Sequence, residues 1–187
     1  IGNHDLLRSI MCALDQPWDA WSDGGTDAKW NNRPFSDGSL PPRSAYERMA
    51  VAFTFLLTTK GIPLVYYGDE IGMPGAGDPD NRRFMQWDSY SPDQQFLKTT
   101  LQKLGQARKK HPALWKGVRT TKSVTDDGYG YAMTAGDDVV YVALNRGDVT
   151  NAVDGMPAKG KDLLTGKTVT GPQVNLPPRT SMVIVPQ

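Results

Sequence analysis

The sequence predicts an α/β segment followed by an all-β module, and three observations carry that reading. A helix-patterned stretch at 44–60 leads into a continuous apolar run, Ile62 to Tyr67, that ends in Gly68, Asp69 and Glu70. A second helical pattern occupies 92–110. From about Gly117 the texture changes to short β-rich runs punctuated by turn residues, as in "GYGYAMTAGDDVVYVALNRGD". A helix running into a strand apolar on both faces implies a parallel sheet, as in an α/β barrel or a doubly wound sheet. Both architectures carry their sites at the C-terminal ends of strands. The boundary between the two parts is placed at 112–116, giving regions 1–112 and 113–187.

In chain order, "IGNHDLLRSI" opens as an apolar strand end running into the polar triplet Asn3, His4 and Asp5. The stretch from Asp15 to Pro42 is rich in Gly, Pro, Asp, Asn and Trp and lacks periodicity. Loops of that length inside a domain tend to be functional. Its Trp18, Trp21 and Trp30 are either sugar-stacking platforms or anchors that pack the loop. In the first helix Ser44 is the expected N-cap, Glu47 completes a capping box and Gly61 is the stop. That helix is apolar nearly all round, so it must be packed on more than one side. The loop "MPGAGDPDNRRFMQWDSY" follows the strand. The second helix has Ser91 as N-cap, Pro92 at its first position and Gln94 completing another capping box. Leu97, Leu101 and Leu104 form its buried stripe, and it stops before His111-Pro112.

Composition excludes several function classes. The 187 residues are 39% apolar and 22% charged with a formal net charge of +1, so no acidic or basic bias points to a partner. The dense basic run "ARKKH" at 107–111 complements a helix dipole, and no nucleic-acid partner is expected. No apolar run approaches the roughly 18 residues that suggest a membrane span, so no membrane partner is expected either. Cys12 stands alone, cannot form an internal disulfide, and reads as a small core residue. With only His4, His111 and Cys12 as soft ligands, no zinc spacing exists. No phosphate-binding glycine loop of recognised spacing is present.

The order "GNHD..R", helix, "GIPLVYYGDEIG", "DPDNRRFMQWD", helix and β-module resembles the C-terminal portion of an α-amylase-family glycoside hydrolase of the type acting on maltodextrins and cyclodextrins. The resemblance covers essentially the whole chain and is most specific over 2–8 and 61–88. It implies the last two β/α units of a (β/α)8 TIM barrel, followed by an antiparallel β-sandwich. The opening strand would be the seventh of the barrel and Ile62 to Tyr67 the eighth. Two strands cannot close an eight-stranded barrel, so the chain is expected to be part of a longer one. The preceding barrel portion is then an expected partner. No cofactor is expected in this segment, and any calcium would belong to the preceding portion.

Retaining glycoside hydrolysis uses a nucleophilic carboxylate and an acid/base carboxyl around an oxocarbenium-like transition state. The resemblance places both on earlier strands, and neither motif occurs here. What it assigns to this segment is a third carboxylate, Asp5, which holds hydroxyls of the reacting sugar and favours its distorted, positively charged ring. His4 is implied as a hydrogen-bond donor to the same sugar, with Asn3 and Arg8 in support. On the dipeptide alone, His4 and Asp5 read rather as a structural hydrogen-bonded pair at a strand end, and it is the surrounding motif that favours the functional reading. In "DPDNRR" the resemblance implies that Asp78 and Arg82 grip the non-reducing-end glucose, and Trp30 is taken as a further substrate-binding residue. The alternative for Asp78 and Arg82 is a salt-bridged loop staple. A calcium loop fails because Arg82 and Arg83 stand where oxygen ligands are needed. Asp69 and Glu70 are adjacent on a strand, so they cannot both face one substrate, and the resemblance reads them as structural.

The implied activity is glycoside hydrolysis of α-1,4-glucosidic bonds in maltooligosaccharides or related α-glucans, with the isolated segment inactive. The alternative is a non-catalytic carbohydrate-binding or interaction module. An extracellular or periplasmic location is expected ahead of a cytoplasmic one.

Overall fold

The computed structural model describes residues 1–19 and 33–187, so Trp21 and Trp30 lie outside the described residues. The chain divides into two compact units: Ile1–Met49 with Leu64–Thr99, and Ala50–Pro63 with Thr100–Gln187. The division cuts through both long helices, α1 (Arg43–Thr58) and α2 (Pro92–Lys110).

Helix α1 begins just after Pro42, whose carbonyl accepts the Ala45 N–H at 3.0 Å. Ser44 therefore lies inside the first turn instead of capping it, and its buried hydroxyl makes no hydrogen bond. The expected capping box is not formed. Glu47 pairs instead with Arg43 at 3.0 Å, and Arg43 also reaches Asp93 at 2.9 Å. Helix α2 starts as its sequence dictates. Ser91 N–H donates to Gln94 Oε1 at 3.0 Å, and Gln94 N–H donates to Ser91 Oγ at 3.2 Å, a closed capping box.

The apolar run Ile62 to Tyr67 is not a strand, and neither is the opening segment; among the described residues the first strand begins at Val118. Ile62, Leu64, Val65 and Tyr67 are exposed, not covered on both faces. The physical reason is that an extended segment is held by a ladder of hydrogen bonds. The Ile1 amino group donates to the Leu64 carbonyl at 2.7 Å, a single bond where a ladder needs several. Cys12 is likewise exposed, not a core residue.

In the second unit, a short turn, α3 (Ala113–Lys116), precedes eight strands. These are β1 (Val118–Val124), β2 (Gly128–Ala135), β3 (Asp138–Asn145), β4 (Asn151–Asp154), β5 (Lys159–Asp162), β6 (Thr168–Thr170), β7 (Gln173–Leu176) and β8 (Thr180–Pro186). Six form one sheet in the order β1-β2-β3-β8-β5-β6, while β4 pairs with β7. All pairings are antiparallel. The β2/β3 hairpin closes through Gly136-Asp137, with Gly136 at φ +61°, the left-handed geometry that a tight hairpin turn demands. Ala143 and Ile184 of the six-stranded sheet, Val153, Val174 and Leu176 of the β4/β7 pair, and Met156 between β4 and β5 belong to one buried apolar cluster. The C-terminal half of α1 ties to this module through Thr58, which is 2.5 Å from the buried Tyr131 hydroxyl, and through Thr54, 2.8 Å from Ser181. Arg108, from the basic run, donates to the carbonyls of Leu57, Thr59 and Gly61, satisfying backbone groups around the end of α1, and to that of Leu114 in α3.

Candidate functional site

The site is built from three segments of the first unit: the opening turn, the "YYGDE" turn and the "DPDNRR" loop. Asn3 organises the first. Its Oδ1 accepts the N–H groups of Asp5 at 2.8 Å and Leu6 at 3.1 Å, the pattern of an Asx-turn. The chain is then drawn inward at Leu7, Arg8 and Ile10, all buried. His4 and Asp5 are left at the surface, with His4 Nε2 3.3 Å from Asp5 Oδ1 and their side chains 62% and 70% exposed.

Arg8 goes the other way. Its guanidinium is buried, lies 4.4 Å and 4.5 Å from the ring centres of Tyr66 and Tyr67, and donates through Nη1 to the Tyr67 carbonyl. The carboxylate beside it is Asp69, whose Oδ1 is 3.7 Å from Nη1. Ser9 Oγ donates to the other Asp69 oxygen at 3.1 Å. Asp69 opens a 3₁₀ turn, Asp69–Ile71, instead of ending a strand. Burial pushes the Asp69 carboxyl above its ordinary range, against the opposing pull of Arg8 and Ser9. Gly2 closes over this pair: a Cβ there would lie 2.3 Å from Asp69 Oδ2 and 2.9 Å from Ser9 Oγ.

The "DPDNRR" loop sorts its charges in the same manner. Asp78 Oδ1 and Arg82 Nε pair at 2.9 Å on the surface, each roughly half exposed. Asp80 is buried. It accepts Arg83 Nη2 at 2.7 Å, Arg83 Nε at 2.9 Å and the Ala76 N–H at 2.9 Å, with Arg33 Nε 3.4 Å away. Each carboxylate of this loop is matched to a guanidinium. Asn81, fully buried in the 3₁₀ turn Asp80–Arg82, donates through Nδ2 to the carbonyls of His4 at 2.8 Å and Leu6 at 2.7 Å. It joins the loop to the turn that carries Asp5.

The structure thus places Asn3, His4 and Asp5 on one turn, ties that turn to the loop bearing Asp78 and Arg82, and sets Arg8 beneath with Asp69. The Asp80–Arg83 pair and Asn81 were not singled out from the sequence. A D-x-x-R spacing at Asp80 and Arg83 was available as a signal for the pair. For Asn81 no sequence signal exists, because its partners are backbone carbonyls more than 70 residues away.

The family model described as "Alpha amylase, catalytic domain" matches residues 35–131. A cyclomaltodextrin glucanotransferase of Geobacillus stearothermophilus is 38% identical over 150 residues, which are 80% of this chain and 20% of that protein. A cyclomaltodextrinase of Geobacillus thermopakistaniensis is 34% identical over 142 residues, 70% of this chain and 24% of that protein. Among solved structures, an α-amylase from Geobacillus thermoleovorans complexed with acarbose superposes with a TM-score of 0.72 at 25% identity, covering 98% of this chain and 37% of that one. The chain spans between a fifth and a quarter of the length of these two curated relatives.

Proposed function

The chain belongs to the α-amylase family, and on that premise we propose that it forms the C-terminal portion of a retaining glycoside hydrolase acting on α-1,4-glucosidic bonds of maltooligosaccharides or cyclodextrins. In this reading the two ends of barrel strands at 1–5 and 62–67 join strands contributed by preceding sequence, which also supplies the nucleophile and the general acid. Two relatives, a cyclomaltodextrin glucanotransferase and a cyclomaltodextrinase, support the substrate class.

One observation carries the assignment of residues: the charges of the two motifs are sorted by exposure. Arg8–Asp69 and Asp80–Arg83 turn inward and hold the loops, whereas His4–Asp5 and Asp78–Arg82 face outward. Inward pairs serve structure, because a buried charge without a partner is costly. Outward groups held by a rigid backbone are free to meet a ligand. Asp5 then accepts hydrogen bonds from hydroxyls of the reacting sugar and places negative charge beside a ring that becomes positive in the transition state. His4 donates to the same sugar. Asp78 and Arg82 offer a carboxylate and a planar fork to vicinal hydroxyls of the terminal glucose. Trp30 is included as a stacking residue on the strength of its sequence position.

The test is turnover. Full-length enzyme containing this segment should cleave maltotriose and β-cyclodextrin at roughly 1–1,000 per second, while chain 1–187 alone should show no turnover. Saturable glucan binding by the full-length protein with no cleavage would favour a carbohydrate-binding module instead.

A further inference from the structure

We propose that Asn81 is the positioning residue for Asp5, and that through it the loop gripping the end of the sugar chain sets the geometry of the transition-state carboxylate. The proposal rests on the reading of Asp5 given above. Asp5 has an exposed side chain on a backbone held from both sides. Its N–H is bound by Asn3 Oδ1, and the carbonyls immediately before and after it, those of His4 and Leu6, both accept from Asn81 Nδ2. A primary amide nitrogen carries two hydrogens, so one side chain can bridge both carbonyls, which an aspartate, a leucine or an alanine cannot do. Asn81 is fully buried and has no access to a sugar, so it acts only through what it holds.

The loop side of the link is equally fixed. Asn81 follows Asp80, which is locked by Arg83 and the Ala76 N–H, and it lies between Asp78 and Arg82. The turn hydrogen bonds Asp80 N–H to Gly77 carbonyl at 2.9 Å and Arg82 N–H to Pro79 carbonyl at 3.0 Å make these residues one rigid piece. A glucose drawn against Asp78 and Arg82 therefore bears on the element that sets the Asp5 backbone.

The experiment is a double-mutant cycle in the full-length enzyme with maltotriose: Asn81→Asp, Asn81→Ala, Asp5→Asn and the combinations. In the wild-type background each Asn81 change should lower kcat by about 10- to 100-fold, the scale of a small misplacement of a catalytic group, with KM held within about threefold. In the Asp5→Asn background the same change should lower the residual kcat by less than about twofold, because its contribution runs through a carboxylate already removed. An equal fold-loss in both backgrounds, or a rise in KM at unchanged kcat, would overturn the proposal and leave Asn81 a structural residue. If the aspartate and alanine variants do not fold, Asn81→Ser, which keeps one donor, is read in the same cycle with the same criteria. A near-normal kcat in Asp5→Asn alone would instead remove the underlying reading of Asp5, and the two failures are thereby distinguished.

Discussion

Replacing Arg82 with alanine separates a ligand-binding pair from a loop staple. Arg82 Nε and Asp78 Oδ1 are 2.9 Å apart, and the two side chains are 47% and 48% exposed. A pair so accessible to water is strongly screened, and exposed ion pairs contribute about 0–1 kcal/mol to stability. Losing it should therefore lower Tm by a few degrees at most. If the pair also binds the terminal glucose, the lost contact involves a charged group and costs about 1–3 kcal/mol in transition-state binding. At about 1.4 kcal/mol per decade, that is a loss of about 5- to 150-fold in kcat/KM. The loss should fall on substrates that depend on their non-reducing end, so maltose and maltotriose should suffer more than amylose. The assay is kcat/KM on each substrate for wild-type and Arg82→Ala full-length enzyme, with Tm recorded in parallel. A loss uniform across substrate lengths, accompanied by a lowered Tm, would rule out a grip on the terminal glucose and make Asp78 and Arg82 a staple.

Two further predictions concern the support beneath the site. Gly2→Ala places a Cβ 2.3 Å from Asp69 Oδ2 in a buried pocket where Asp69 is already held by Ser9 and Arg8, and should destabilise the full-length protein by about 1–3 kcal/mol in urea titration; an unchanged midpoint would contradict the packing described. Burial raises the Asp69 pKa above the ordinary 3.8, so the folded state keeps this proton at a higher pH than the unfolded chain does. Stability owed to Asp69 should accordingly rise as pH falls through its folded value and level off below the ordinary one. The stability of wild type minus that of Asp69→Asn should then increase from neutral pH toward about 4, and a flat or falling difference would contradict the shift.

How much of this could be read in the sequence depended on how local the determining interactions are. The capping box of α2 closes within four residues, and it appears in the structure as the pattern Ser91…Gln94 implies. The β-rich region after Gly117 was legible for the same reason, since hairpins such as β2/β3 are set by neighbouring turn residues. At α1 the helix starts directly after Pro41 and Pro42, two residues earlier than Ser44 as N-cap implies. The run Ile62 to Tyr67 reads as a buried strand because its composition records neighbours, and strand structure exists only where a ladder partner is present. The proposed site residues His4, Asp5, Asp78 and Arg82 rest on motif resemblance, and the structure adds that their side chains are exposed. Of the residues beneath them, Asp69 and Asn81 work through partners 60 or more residues away, which no motif spells out, whereas Asp80 pairs with Arg83 three residues on, a spacing visible in the sequence.

The central claim is that Asp5 acts on the transition state. The measurement that tests it most directly is kcat for Asp5→Asn in the full-length enzyme on maltotriose, with folding checked by an unchanged Tm. The expected result is a fall in kcat of at least about 100-fold, the usual effect of removing one preorganised electrostatic partner, with kcat/KM falling alongside it. A folded Asp5→Asn enzyme with near-normal kcat would contradict it.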